Sequence, residues 1–444
     1  MTAEANTFSE LIAAFHSGRL CPVEYTESLI SRIKSQNPSV RAFISLTETT
    51  ARRAARRSQQ LLKSGCSPRP LEGIPVALKD VIDVAGSITT GGTVFPGAMP
   101  AVKNARVVDL LELAGAVVIG KANMDELALG QTTDNRHFGR CLNPLNVEFI
   151  PGGSSGGSAA AIAAAMSLGS LGGDSGGSIR SPAALHGLVG LKPTNGVIDR
   201  DGILTGTWTL DSCGPLTRNV DDCFTLLSVL CPDLLVTQRA GDIQSGEVTI
   251  GIPKQYYFDK LDNDVARCFQ DGAKAIERLG CKFIEVDTPN ASLAVDAGAI
   301  ISWSEFSVSL APFLETSDGS YLSPRVRNLL NAASTHLASE YIAAQQVRAV
   351  IIAEHAEIWT RVDAIMMPTM PVRAPRVGAA DTTRVGAYTR IACLTGEPAV
   401  SVPVGVDMNN MPVGIQLIGP RFSETRLLSI AKLLEKGIAG TRAI

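Results

Sequence analysis

Histidine is scarce in this sequence, with five residues in a chain of 444. His16 falls in a predicted amphipathic helix, and His186, His336 and His355 fall in segments that are also predicted to be helical. A Ser-His-Asp triad needs a histidine base that a third group orients beside the nucleophile. Serine chemistry in this chain is therefore expected to use another base.

Paired cysteines and excess charge are lacking as well. The nine cysteines are scattered and include no Cys-x-x-Cys pair, which indicates reduced thiols in a cytoplasmic protein and neither a disulfide framework nor a zinc site. The formal net charge is -3, and the basic cluster Arg52-Arg53 with Arg56-Arg57 is short. No nucleic-acid partner is therefore expected.

Long apolar runs and a leader-like N-terminus are also missing. No run of 18 apolar residues occurs, and the Ala-rich stretch 158–171 is too short to span a bilayer. Residues 1–11 carry Glu4 and Glu10 and lack the basic and apolar regions of a signal peptide. We expect no membrane association.

Apolar residues make up 45% of the chain and charged residues 19%, so a large core is expected. From Gly73 onward, short apolar runs alternate with helical segments, as in βα units. The predicted fold class is α/β, with a large mixed, mainly parallel sheet covered by helices on both faces. Strands are expected at 42–46, 74–78, 116–119, 248–252, 282–286, 362–368, 399–404 and 412–418. Helices are expected at 6–17, 22–36, 48–63, 104–114, 123–129, 262–278 and 423–436.

Four parts are predicted along the chain. Residues 1–70 form a helical segment that packs on the core, and 71–234 form the catalytic core. A variable substrate-side region, 235–360, is expected to be mostly helical from 289 onward. Residues 361–444 complete the core with strands and a helix.

Glycine and serine dominate residues 151–177, a composition that also occurs in flexible linkers. However, Ala159–Met166 is a strong helix former inside this segment, and apolar runs flank it on both sides. We expect these glycines to shape tight loops within a core.

Two familiar serine motifs occur in this segment. Gly173–Gly177 matches the residues around the nucleophile of chymotrypsin-like proteases, and Gly-x-Ser-x-Gly occurs both there and at 152–156. Both interpretations require a histidine in a suitable context, which is missing. Lys79 directly follows an apolar run, and burial there would lower its pKa toward that of a usable base, although pairing with Asp80 or Asp83 is the structural alternative.

The ordered motifs of the chain resemble the amidase signature family. They are Gly73–Asp80, Asn123–Glu126, Pro151–Ser158, Gly173–Ala183, Gly190–Thr194, Leu210–Arg218 and Met411–Gly419. The resemblance implies that Lys79 is the base, Ser154 a proton relay that follows a cis peptide bond, and Ser178 the nucleophile. It also implies an oxyanion hole formed by the N–H groups of Ser175, Gly176 and Gly177.

The implied activity is hydrolysis of a C–N bond in a small amide, carbamate or urea through a seryl acyl-enzyme, without metal or cofactor. Residues 289–360 are expected to line the substrate pocket together with Met124 and Trp208, although a single tryptophan is equally typical of a hydrophobic core. The partner is a small-molecule amide, with a homodimer as one option.

Within the family, the alternative is the A subunit of a tRNA-dependent amidotransferase, which releases ammonia from glutamine. Asn123–Glu126 resembles that subunit. Gly386 stands about where the resemblance places the subunit's acidic residue, and Thr389-Arg390 resembles free-standing amidases. The glycine at 386 and the pair Thr389-Arg390 favour a free-standing hydrolase. An inactive amidase-like interaction protein is disfavoured because Lys79, Ser154 and Ser178 are all present.

Overall fold

Two mainly apolar runs form adjacent parallel strands, the second and third from one edge of a large sheet. Pro75–Lys79 is buried at every residue, as is Val117–Ala122, which is typical of strands covered on both faces. The computed structural model describes residues 6–231, 243–311 and 321–442. The predicted boundary at 234/235 lies outside the described residues.

Within these ranges, eleven strands form one mixed sheet in the order β1-β3-β2-β6-β8-β7-β12-β13-β11-β9-β10. The strands are β1 (Phe43–Leu46), β2 (Pro75–Lys79), β3 (Val117–Ala122), β6 (Gly169–Asp174), β7 (Val189–Lys192), β8 (Ser212–Thr217), β9 (Thr249–Pro253), β10 (Lys282–Val286), β11 (Ala364–Pro368), β12 (Ala399–Val406) and β13 (Pro412–Ile418). A separate hairpin pairs β4 (Asp134–Asn135) with β5 (Gly139–Arg140). The predicted α/β class, built on one large mixed sheet, is confirmed.

The helices are α1 (Phe8–His16), α2 (Pro22–Val40), α3 (Glu48–Lys63), α4 (Arg106–Leu113), α5 (Gly156–Ala163), α6 (Arg180–His186), α7 (Val220–Leu230), α8 (Asn263–Arg278), α9 (Leu293–Ser309), α10 (Pro324–Ala333), α11 (Ala338–Ile358), α12 (Arg390–Thr395) and α13 (Glu424–Arg442). None of the helices in the described ranges is both long and apolar enough to cross a membrane.

The predicted helix at 123–129 is wrong. The chain forms only a 3-10 turn at Glu126–Ala128, and Leu127 and Ala128 have φ values of 49° and 60°. The Leu127 N–H donates to the Gly91 carbonyl at 2.7 Å, so the backbone is held by a neighbouring loop instead of a helical ladder. The prediction that His336 lies in a helix is also wrong, because His336 lies in the turn between α10 and α11.

The neighbouring strands β2 and β6 help to set the position of the serine-rich loops. β2 lies parallel to β6, with Leu78 opposite Leu171, so both strands end at the same edge of the sheet. Lys79 is the last residue of β2, and Asp174 is the last of β6. The loop before α6 follows β6 directly and so begins near Lys79, and the loop before α5 meets it there through the hydrogen bond from Lys79 to Ser154.

Candidate active site

Lys79 is a buried amine at the carboxyl end of β2, 1% exposed. Its Nζ donates to Ser154 Oγ at 2.7 Å and approaches the Gly173 carbonyl at 3.4 Å. Burial lowers the pKa of Lys79 to about 8, because desolvation penalises the ammonium form more than the nearby aspartates stabilise it. At pH 7 roughly a tenth of this amine is therefore uncharged, a few hundred times more than for a lysine with its ordinary pKa.

The loop that carries Ser154 is held tightly against Asp125. The Gly153–Ser154 peptide bond is cis. A Cβ at Gly153 would lie 2.1 Å from Asp125 Oδ2, so no larger residue fits there. The Asp125 N–H donates to the Ser154 carbonyl at 3.3 Å, and the Asp125 carboxylate accepts the N–H groups of Thr132 and Thr133. This network fixes the hydroxyl that accepts the Lys79 hydrogen bond.

The loop that carries Ser178 is wrapped around the fully buried Asp174. Its carboxylate accepts the N–H groups of Gly177 at 2.6 Å and Ile179 at 3.1 Å, and it pairs with Arg180 at 2.9 Å. Burial alone would raise the pKa of Asp174, but the Arg180 guanidinium holds it well below the usual range. Through these contacts Arg180 holds the Ser178 loop in place.

Removing one member of this pair should destabilise the protein strongly. Arg180→Met leaves Asp174 charged, buried and without its main partner, so we expect the free energy of unfolding to fall by about 3–5 kcal/mol. Denaturant unfolding of the variant and the wild type measures this difference.

The exposed pair Lys103–Asp201, whose side chains are 73% and 60% exposed, provides the control. Lys103→Met should change the free energy of unfolding by less than about 1 kcal/mol. Equal losses in the two variants would contradict the role given to the buried pair.

The predicted oxyanion donors differ in their surroundings. The Gly177 N–H is already donated to Asp174. Among the described residues, no hydrogen-bond acceptor contacts the N–H groups of Ser175 or Gly176, and both residues border an open cavity. Gly177 has a φ of 118°, and a Cβ there would lie 1.9 Å from Thr389 Oγ1, so the loop requires glycine at this position.

Two cavities meet at this loop. The inner cavity, about 40 Å³, is lined by Lys79 and Ser154, by apolar side chains, and by the charged residues Asp174, Arg200 and Asp211. The outer cavity, about 530 Å³, is lined by Ser178. Ser175 and Phe306 border both cavities. Ser178 is partly exposed, and its carbonyl accepts the Ser155 N–H at 3.3 Å, which ties its loop to the Ser154 loop.

Helix α9 and the start of α10, both within the predicted substrate-side region, contribute to the outer cavity through Trp303, Phe306 and Arg325. Residues 312–320 of that region lie outside the described residues. Met124 is fully buried in the main hydrophobic cluster, and Trp208 is 47% exposed. Neither residue is among those that border the two cavities.

For several residues at this site, no role was predicted from the sequence. Arg390 and Gln131 line the outer cavity, and Asp125 supports the Ser154 loop. Asp125 and Arg390 had a local signal, because they lie in the motif Asn123–Glu126 and in the pair Thr389-Arg390. Across the described part of the chain, no three His, Cys, Asp or Glu side chains are grouped as a metal site would require.

Residues 24–428 match the amidase family. This chain is a member of that family. A curated relative, the A subunit of the glutamyl-tRNA(Gln) amidotransferase of Chloroflexus aurantiacus, is 35% identical over 96% of this chain and 95% of its own length.

Solved structures of other members share the fold. A crystallised amidase superimposes with a TM-score of 0.89 at 30% identity, covering 97% of this chain and 99% of its own. The amidotransferase A subunit from Thermotoga maritima gives a TM-score of 0.78 at 32% identity, covering 94% and 91%. The resemblance inferred from the motifs is therefore confirmed, and the chain belongs to a family of enzymes that cleave C–N bonds by hydrolysis.

Proposed function

We propose that this chain hydrolyses the C–N bond of a small amide-like substrate through an acyl-enzyme on Ser178. The observation that carries the proposal is the 2.7 Å hydrogen bond between buried Lys79 and Ser154, next to the loop of Ser178. A lysine with a lowered pKa beside a serine relay has the properties of a general base for a serine nucleophile.

In this mechanism, Ser178 Oγ attacks the carbonyl carbon of the substrate. Its proton passes to Ser154, and the Ser154 proton passes to neutral Lys79. The N–H groups of Ser175 and Gly176 stabilise the negative charge on the carbonyl oxygen. The same relay, run backward, protonates the leaving nitrogen. Water then attacks the acyl-enzyme and releases a carboxylic acid, while ammonia or an amine has already departed.

The second candidate is the ammonia-releasing component of a tRNA-dependent amidotransferase. The curated relative named above favours this function over a free-standing hydrolase, because it is an amidotransferase A subunit that matches nearly the whole chain. It also supports a protein partner for this chain. A homodimer stays a prediction.

The lining of the outer cavity disfavours glutamine as the substrate. Gly386, at the position expected for an acidic residue, lines the outer cavity, and a Cβ there would lie 2.6 Å from Gln131 Nε2. An aspartate at this position would therefore displace Gln131. Without an acidic side chain, this position lacks a partner for the ammonium group of glutamine.

Ammonia and amine release from a substrate panel tests the proposal. The panel contains glutamine, aliphatic primary amides, anilides and carbamates, and each is assayed with the wild type and with Ser178→Ala. We expect release from at least one amide by the wild type and none by the variant. Glutamine as the best substrate would favour the amidotransferase function. If the folded wild-type protein hydrolyses no member of the panel, the proposal is contradicted.

The pH dependence of activity should follow the titration of Lys79. Only the neutral amine accepts a proton, and burial lowers the pKa of Lys79 to about 8. We therefore expect kcat/KM to rise with pH, with a midpoint about 8, and to level off above it. A profile measured from pH 6 to 10 on one substrate tests this. Activity that falls through this range would contradict a lysine base.

A further inference from the structure

The charged lining of the outer cavity has one sign. Arg325 and Arg390 border it, and the described residues contribute no aspartate or glutamate to its wall. Its remaining polar groups are neutral, and they include Gln131 and the serine and glycine backbone beside Ser178. A cavity of this kind favours an anionic group and disfavours a cation.

The two arginines differ in what compensates their charge. Arg325 donates to the Leu129 carbonyl and lies 4.0 Å from the buried carboxylate of Asp125. Among the described residues, Arg390 has one side-chain hydrogen bond, to Ser302 Oγ at 3.2 Å, and no carboxylate lies within ion-pair distance of its guanidinium. Since a guanidinium carries five N–H donors, most of those of Arg390 have no acceptor among the described residues.

Arg390 is also placed close to the reacting centre. A Cβ built on Gly176 would lie 3.1 Å from the guanidinium carbon of Arg390, so the guanidinium packs on the residue whose N–H is a proposed oxyanion donor. Thr389, its neighbour in the chain, donates to the Gly176 carbonyl at 2.7 Å and fixes this arrangement. Burial lowers the pKa of Arg390 more than the charge of nearby Asp174 raises it, in keeping with a cation that has no ion-pair partner among the described residues.

We propose that Arg390 binds a carboxylate on the acyl part of the substrate, so that the natural substrate is a short amide bearing a second, negatively charged carboxyl group. This inference rests on the proposed function and specifies its substrate class. A planar guanidinium pairs with a carboxylate through two parallel hydrogen bonds, which adds orientation to charge attraction.

The position of Arg390 limits the length of such a substrate. Because the guanidinium packs against Gly176, the carboxylate must lie only a few bonds from the scissile carbonyl carbon. Monoamides of short dicarboxylic acids meet this requirement. Glutamine meets it too, but its additional ammonium group would enter a cavity whose charged lining, among the described residues, is entirely positive. Glutaramate, which is glutamine without that amino group, should therefore be the better substrate.

Matched substrate pairs test the proposal. Malonamate, succinamate and glutaramate are each compared with the amide in which a methyl group replaces the carboxylate, and glutaramate is also compared with glutamine. We expect the wild type to prefer the best carboxylated member by at least about tenfold in kcat/KM. Arg390→Met should reduce this preference by about tenfold to a hundredfold. Arg390→Lys should reduce it by less, since lysine keeps the positive charge but cannot form the two parallel hydrogen bonds of a guanidinium.

Binding is measured separately from turnover. Calorimetry of the same carboxylated amide with Ser178→Ala, and with Ser178→Ala combined with Arg390→Met, reports affinity when no reaction occurs. We expect the second protein to bind about tenfold to a hundredfold more weakly, while thermal melts show that both are folded.

The outcomes separate this inference from the proposed function. If the wild type hydrolyses neutral and carboxylated amides equally, and Arg390→Met changes both alike, the carboxylate site is refuted and the amidase proposal stands. If the wild type hydrolyses no amide while carboxylate binding still depends on Arg390, the site stands and the proposed reaction fails. Binding that is unchanged by Arg390→Met overturns the inference in either case.

Discussion

Replacing Ser178 by alanine is expected to reduce kcat/KM by at least about 10⁴-fold, because no acyl-enzyme can form without the nucleophile. The fold should be unaffected. The hydroxyl is partly exposed, and no described residue hydrogen-bonds to it, so the free energy of unfolding should change by less than about 0.5 kcal/mol. Steady-state kinetics and denaturant unfolding of the purified variant measure the two quantities.

Ser175→Ala is the matched control, because Ser175 lies three residues earlier in the same loop and borders both cavities. Its proposed role uses the backbone N–H, which alanine retains. We expect this variant to keep activity within about tenfold of the wild type, since no described residue hydrogen-bonds to the Ser175 hydroxyl. If Ser175→Ala is inactive and Ser178→Ala retains more than about a hundredth of the activity, the nucleophile is Ser175.

Replacing Lys79 should lower the rate by about 10² to 10⁴-fold, the usual contribution of a general base. Arginine retains the charge but cannot accept a proton, because its pKa exceeds about 12. Methionine has a similar length and no charge. Lys79→Arg and Lys79→Met should therefore both be slow, and both should lose the rise in activity with a midpoint about pH 8. The measurement is the pH profile of kcat/KM for the three proteins.

Lys192 serves as a control, because it separates the effect of burying a lysine amine from the effect of its contact with a catalytic serine. It is fully buried, and burial also lowers its pKa to about 8, but it donates to the Pro193 carbonyl and to Asn195 instead of a catalytic serine. Lys192→Met should keep the pH midpoint of the wild type, even if it is less stable. A folded Lys79→Arg enzyme with near-normal activity at neutral pH would show that Lys79 is not the base and that its role is structural.

Most of the strands and helices could be predicted because their apolar patterns are local. The helix expected at 48–63 spans Glu48–Lys63, and the strands expected at 282–286 and 412–418 have the same limits in the structure. The helix expected at 123–129 failed because hydrogen bonds to a distant loop decide that backbone. The strand order could not be predicted either. The strands β9 and β10, inside the region assigned to the substrate side, extend the central sheet at its edge, and local periodicity carries no information about such pairing.

The candidate site shows the same division between local and distant signals. Lys79, Ser154 and Ser178 lie in motifs whose order along the chain carries the resemblance, and the fold brings the first two into contact. Arg390 reaches the outer cavity from a helix 212 residues after Ser178, next to Gly176. The pair Thr389-Arg390 was noted in the sequence only as a family-like feature, so the role proposed for Arg390 rests on its place beside Gly176 and on the lack of an ion-pair partner among the described residues.

The most direct test of the central claim is to label the wild-type protein with a fluorophosphonate probe and to map the modified peptide by mass spectrometry. We expect one phosphonyl group, on Ser178. Labelling should be slower in Lys79→Met, because the nucleophile loses its base. It should also be slower in the wild type when an amide substrate of the enzyme competes with the probe for the site. A modified serine elsewhere in the chain, or no labelling of a folded and active protein, would contradict the account.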